Sequence, residues 1–117
     1  MSSPVAAMSG VPITLLDTVT TGTSEVVAPP PSFRHHNFFI TTPAGVNAGK
    51  VQMEASIDPD YAGTWAAVGA ETTVVASATL LISHSGLLDF VRARVTTTIS
   101  GGAGPSVTVV YEGAKSY

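Results

Sequence analysis

Three histidines, eight carboxylic acids and a scatter of hydroxyls are the raw material for chemistry in this 117-residue chain, and their spacing assembles none of the usual machinery. Ser83-His84-Ser85 sets hydroxyls beside an imidazole. A nucleophile and its base must meet across space, however, and chain neighbours rarely have that geometry. Gly101-Gly102-Ala103-Gly104 has no lysine and no following helix with which to hold a phosphate, and no G-x-S-x-G elbow occurs. Nothing among the acids selects a pair for glycoside hydrolysis. The sequence therefore implies no catalytic residues, no cofactor and no enzyme.

Metal chemistry is equally poorly provided for. His35 and His36 are adjacent, and adjacent residues of a strand point to opposite faces, so the pair cannot chelate one ion by itself. Asp58 and Asp60 flank a proline, with Asn47 and Glu71 as further oxygen donors, but the full spacing of a calcium loop is missing. Asp and Pro also belong in turns for conformational reasons, and a solvated turn is the expectation here. No metal site is expected.

What remains is contact chemistry. Tyr61 and Trp65 bracket a turn and form a candidate glycan platform, since an aromatic face stacks on a pyranose ring; a buried anchor is the competing role for a lone tryptophan. Arg92 and Arg94 share one strand face, where they pair with Glu54 or Glu112 or meet a partner protein.

The elements that must position these residues are strands. Val51, Met53, Ala55 and Ile57 alternate with Gln52, Glu54 and Ser56, and a dense turn signal at Asp58–Gly63 leads into Thr64–Val68, which makes a hairpin. Phe33–Thr41, Ala78–Ser83 and Phe90–Ile99 read as further strands, as do segments near Ile13, Val19 and Val26. Pro29-Pro30-Pro31 interrupts pairing, Ala44–Gly49 and His84–Asp89 read as connections, and Ser100–Pro105 reads as a hairpin loop before a closing strand at Ser106–Glu112. No segment sustains a helical period. About eight short strands imply an all-β, antiparallel, jelly-roll-like β-sandwich over residues 13–117, preceded by an extended arm over 1–12.

Composition narrows the class of partner. The net charge is −3 with five basic residues, which argues against nucleic acid. No stretch is long enough for a membrane span and no leader is evident, so neither membrane association nor Sec export is expected. Cysteine is absent, which removes disulfides and cysteine-based zinc. Only 11% of residues are charged, against about 25% in ordinary soluble domains. Such a chain is either suited to an assembly in which neighbours cover its Thr, Ala and Val faces or is simply a Thr-rich β-protein that is soluble enough.

Lys50–Asp58, Gly63–Gly69, Phe90-Val91-Arg92-Ala93-Arg94-Val95, Gly101-Gly102 and Ser106–Gly113 follow one another in an order that resembles small virion proteins of tailed bacteriophages. The resemblance covers about residues 50–113. It implies a structural virion component assembled in the host cytoplasm, foremost a capsid decoration (cement) protein bridging subunits of the major capsid protein, or else a tail, collar or fibre-attachment accessory. It also implies a homo-oligomer and carries over no catalytic residues. A carbohydrate-binding module built on Tyr61 and Trp65 is the alternative of a different class. Contacts to a partner are expected from the arm (Val5, Met8, Val11), from the segment after the prolines (Phe33, Arg34, His35, His36) and from Arg92 and Arg94.

Overall fold

The computed structural model describes residues 4–115. Among them lie nine strands and no helix, divided between two sheets. The first sheet holds β1 (Val5–Ala6), β3 (Val27–Ala28), β5 (Val46–Ser56), β6 (Ala66–Thr73) and β8 (Phe90–Gly101), in the order β1-β3-β8-β5-β6. The second holds β2 (Ile13–Val19), β4 (His35–Thr41), β7 (Thr79–Ser85) and β9 (Val107–Ala114), in the order β2-β9-β4-β7. Every pairing is antiparallel except β1 with β3. The all-β, sandwich-like fold expected from the alternation is thus the fold observed. No helix among the described residues is long and apolar enough to cross a membrane.

Period-2 alternation creates the core. Phe38 and Ile40 of β4 with Val107, Val109 and Tyr111 of β9 come from one sheet, and Val51 and Met53 of β5 with Val91 and Ala93 of β8 come from the other. All are buried and belong to one cluster, because a strand sends alternate side chains to the same face. Pairing follows a nested order, β2 with β9, β3 with β8, β4 with β7 and β5 with β6, as in one long antiparallel ribbon folded over on itself. Two added pairings, β4 with β9 and β5 with β8, complete the sheets.

The hairpin expected around residues 50–68 is present as β5–β6, although β6 begins at Ala66 and Trp65 precedes it. Other features also differ from expectation. Val46–Gly49 is already strand, bent where Gly49 takes a φ of +135°. A side-chain Cβ there would lie 2.5 Å from Ile99 Cδ1 and 2.9 Å from Ile99 Cα, so the backbones of β5 and β8 approach this closely only over glycine. β7 runs on through Ser85, into the span read as a connection.

Another difference is topological. Ser100–Pro105 does not close a hairpin: β8 lies in the five-stranded sheet and β9 in the four-stranded one, so this segment carries the chain from one sheet to the other. Its hydrogen bonds go elsewhere, as the Gly102 amide donates to the Gly45 carbonyl at 2.9 Å. Val107, Val109 and Tyr111 are fully buried, and β9 is a central strand between β2 and β4.

Residues 4–12 pack against the sandwich. The Val5 amide donates to Val26 O at 2.8 Å, Ala7 is buried, and the Gly10 amide donates to Gly113 O at 2.9 Å. This segment therefore runs from β3 in one sheet to the end of β9 in the other. Met1–Ser3 of the expected arm lie outside the described residues.

Candidate functional site

The β5–β6 turn and the β7–β8 connection meet at one end of the molecule and enclose an open cleft of about 320 Å³. Turn chemistry builds one wall. The Ser56 hydroxyl donates to Asp58 O and accepts from the Asp58 amide, while Asp58 Oδ1 accepts from the Asp60 amide at 2.9 Å. The Asp58 carboxylate is therefore engaged in shaping the turn, as short acidic side chains commonly are, with Asp60 contributing its backbone amide. Trp65 Nε1 donates to Tyr61 O at 2.9 Å and ties the end of the turn to its middle. A side chain at Gly63 would strike the Tyr61 ring, so glycine there lets the ring fold back over the turn. Leu87, Leu88 and Asp89 form the opposite wall.

The cleft is mainly apolar. Ile57, Tyr61 and Leu87 are exposed large side chains gathered at its rim, with Asp89 as the formal charge in its lining. The structure thus brings Tyr61 and Trp65 to one site, but unequally. Tyr61 is 50% exposed and Trp65 only 4%. The Arg92 guanidinium sits 4.0 Å from the centroid of the indole, so one aromatic face is already taken by a cation–π contact. Trp65 is an anchor outside the main core cluster, and the aromatic surface left for a ligand is chiefly that of Tyr61. Ile57, Leu87, Leu88 and Asp89 were not singled out from sequence; Leu87-Leu88 directly after a glycine was the available signal.

Behind the indole, Glu54 is 3% exposed on the outward side of β5. Its cross-strand neighbour is Arg92, and Arg94 lies opposite Gln52 one step along. Arg92 Nε donates to Glu54 Oε1 at 2.9 Å, while Arg94 Nε and Nη2 donate to Oε2 at 3.1 and 2.9 Å. Of the two acids named as partners for this arginine pair, Glu54 is the one that the register supplies. One carboxylate serves both guanidinia, and the chain Arg94–Glu54–Arg92–Trp65 fixes the floor of the cleft to the sheet.

The histidines separate as strand geometry requires. His36 is 1% exposed and points inward. Its Nε2 lies 3.0 Å from Gly86 O, and because a carbonyl only accepts, Nε2 carries the proton. Nδ1 is then an acceptor, and the Tyr111 hydroxyl donates to it at 2.7 Å. Neutral His36 is satisfied at both nitrogens. Burial, with smaller contributions from His84 and His35, lowers its pKa below 6.5, against an opposing pull from the Gly86 carbonyl. Ser83 and Ser85 are exposed while His84 turns to the inner side of β7, so hydroxyl and imidazole point apart. No group of three His, Cys, Asp or Glu side chains able to hold a metal ion occurs among the described residues.

Among the expected contact residues, Phe33 and His36 are corrected: both are in the interior and present nothing to a partner. Met8, Val11 and Arg34 are exposed, Val5 and His35 half-buried. Arg34 Nη1 donates to Pro31 O at 2.6 Å and braces the proline turn. Arg92 and Arg94 are committed to Glu54.

A surface that the sequence did not reveal lies on the outer side of the four-stranded sheet. Leu81 pairs with Phe39, Phe39 with Val110, and Val110 with Thr14, which places three large apolar side chains in one row across the strands. Thr79, Thr41 and Thr108 form the row on one side, and Ser83, Asn37 and Glu112 the row on the other. Across these rows Glu112 is the single charged side chain. The signal was split among strands far apart in sequence, and only the register assembles it.

No protein-family model, curated protein or solved structure matches this chain.

Proposed function

We propose that the chain is a structural virion protein of a tailed bacteriophage, foremost a capsid decoration (cement) protein, and that it works by covering and being covered. The observation that carries the proposal is the sparsely charged outer face of the four-stranded sheet, with Leu81, Phe39 and Val110 in a row between a row of threonines and a row of Ser83, Asn37 and Glu112. Placing such a face against a subunit of the major capsid protein desolvates hydroxyls and methyl groups and almost no charge, so modest complementarity is enough. Repetition over a shell multiplies modest contacts through multivalency. The nested ribbon pairing is consistent with a jelly-roll-like sandwich, an architecture that capsid and lectin domains use, and that analogy supports both this reading and the next.

The test is co-expression with the major capsid protein of a tailed bacteriophage whose genome encodes this chain, followed by sedimentation of the shells. The chain should travel with shells, and Phe39→Lys, which sets a charge in the middle of the face, should leave it at the top of the gradient while still folded. Co-sedimentation with tails in place of heads would give it a tail, collar or fibre-attachment address. A chain that sediments with neither, or a Phe39→Lys variant that decorates normally, overturns the proposal.

The cleft favours a second reading, a carbohydrate-binding module in which Tyr61 stacks on a sugar while Trp65 supports the wall. Titration with a glycan panel should then shift Trp65 emission, and Tyr61→Ala should abolish the shift. A flat response across the panel rejects it.

A further inference from the structure

A two-sheet sandwich has four free edges, and in this molecule three of them are guarded against pairing with another chain. β1 is two residues long. β2 carries register shifts between Thr14 and Leu16 and again between Leu16 and Val19, with Thr18 at a φ of 54° and Pro12 just ahead of it. β6 is bulged against β5 between Val51 and Met53, where Gly69 takes a φ of 71°; Gln52 Nε2 reaches the Val68 and Gly69 carbonyls there, and Glu71 adds a charge. Short strands, bulges, prolines and charges are the devices that keep sheet edges from pairing.

β7 has none of them. It pairs with β4 alone, through seven consecutive residue pairs from Thr79 to Ser85 without a shift. Its sequence, Thr-Leu-Leu-Ile-Ser-His-Ser, contains no proline, no glycine and no Asp, Glu, Lys or Arg. Leu81 is 54% exposed on the outer side, and the inward-pointing Leu80, Ile82 and His84 are only half-buried. The strand is regularly paired, free of Asp, Glu, Lys and Arg, and incompletely covered on both faces.

We propose that β7 is the self-association edge of this protein, pairing antiparallel with β7 of a second copy across a two-fold axis. The occupant is a second copy because an uncharged edge can meet itself with no like-charge penalty, whereas nothing along β7 offers a charge to a partner of other chemistry. An isologous contact is self-complementary by construction. The two four-stranded sheets then become one continuous sheet, with each copy's Leu81 on the same outer face as its Phe39. Because the other three edges are guarded, the pairing closes at two copies and does not propagate into a fibre. This deepens the virion reading by naming where copies meet, yet it concerns the isolated chain, so it stands or falls separately from capsid docking.

The experiment is sedimentation equilibrium of the purified full chain over a concentration series, with Leu81→Lys and Phe39→Lys beside it. The wild-type chain should reach twice its 11.9 kDa mass. Leu81→Lys should weaken dimerisation by at least tenfold with an unchanged circular-dichroism spectrum, while Phe39→Lys, one strand in from the edge, should still dimerise. The chain contains no cysteine, so Thr41→Cys gives a single spin-label site on β4. Strand spacings of about 4.8 Å and a rise of about 3.4 Å per residue place the two labels roughly 20–35 Å apart in the paired form. That distance decides the matter even if Leu81→Lys fails to fold. A monomer at all concentrations, open-ended growth, or a dimer with labels beyond that range would overturn the proposal.

Discussion

Arg92 and Arg94 share one carboxylate but have different surroundings, so their truncation should differ by a predictable amount. Arg92 is 21% exposed, makes a 2.9 Å bond to Glu54 and lies over the indole of Trp65. A hydrogen bond between charged groups contributes roughly 1.5–3 kcal/mol, and a partly desolvated cation–π contact about 1 kcal/mol more. Arg92→Ala should therefore cost about 3 kcal/mol. Arg94 makes two bonds to the same carboxylate but is 42% exposed, and water replaces much of what it loses. Solvent screening holds such a pair to about 1 kcal/mol. Equilibrium urea unfolding should resolve the difference of about 2 kcal/mol as a midpoint separation of roughly 1 M. Trp65 emission should move to longer wavelength in Arg92→Ala, where the ring loses its cover, and stay put in Arg94→Ala. In a Glu54→Gln background the Arg94 effect should nearly vanish while Arg92 retains its ring contribution of about 1 kcal/mol. Equal losses for the two arginines, with no change in emission, would refute the account of the cleft floor.

Acid should weaken the fold through His36. Its folded pKa is lowered, so below the unfolded value of about 6.5 the unfolded chain binds a proton that the native site refuses. That stability contribution is complete above pH 6.5 and falls as pH drops from there toward the folded pKa; urea midpoints at pH 7.5 and 5 should show the fall in wild type and much less of it in His36→Gln. Gly49→Ala should cost more than about 2 kcal/mol, because its Cβ meets the Ile99 backbone and its φ is positive, and thermal unfolding would read this directly. Removing residues 1–10 strips Val5–Ala6 from β3 and uncovers the surface beneath Ala7, and should lower stability by about 1–2 kcal/mol without abolishing the fold. An unchanged melt in that truncation would mean that the segment does not hold the sheet edge.

What could be read from sequence was local. The alternation from Val51 to Ala55, the turn at Asp58–Gly63 and the facing of Arg92 and Arg94 are properties of one strand or one turn, and each appears where it was expected. Ile57, expected on the core face with the alternating residues of β5, instead lies beyond the end of that strand and is 86% exposed. The pairing of Glu54 with both arginines followed once β5 and β8 were neighbours. The path from β8 to β9 was not legible, because Gly101–Pro105 would serve equally to fold a strand back within its sheet or to carry it across to the other. Alternation gives the inner face of each strand in both cases. The burial of His36 was not legible for a related reason: a polar side chain in an imperfect alternation gives no sign that Tyr111 and the Gly86 carbonyl wait inside to satisfy it.

The same limit explains why low charge density was informative while its purpose was not. Scarce charge does not distinguish a surface that is merely neutral from one that is to be covered. Placement does. Glu71 sits on the bulged edge, Asp17 on the twice-shifted edge, and Glu54 is spent inside the arginine cluster. Other charges lie in turns and connections, as Asp58, Asp60 and Asp89 do, or on the central strands, as Lys50 and Glu112 do, while β7, the edge paired without a register shift, receives none. A chain under pressure only to remain soluble gains most from a lysine on an exposed, flat strand, since that is where unwanted pairing begins. Leaving β7 bare while guarding the rest is the arrangement expected when pairing at that edge belongs to the protein's normal state.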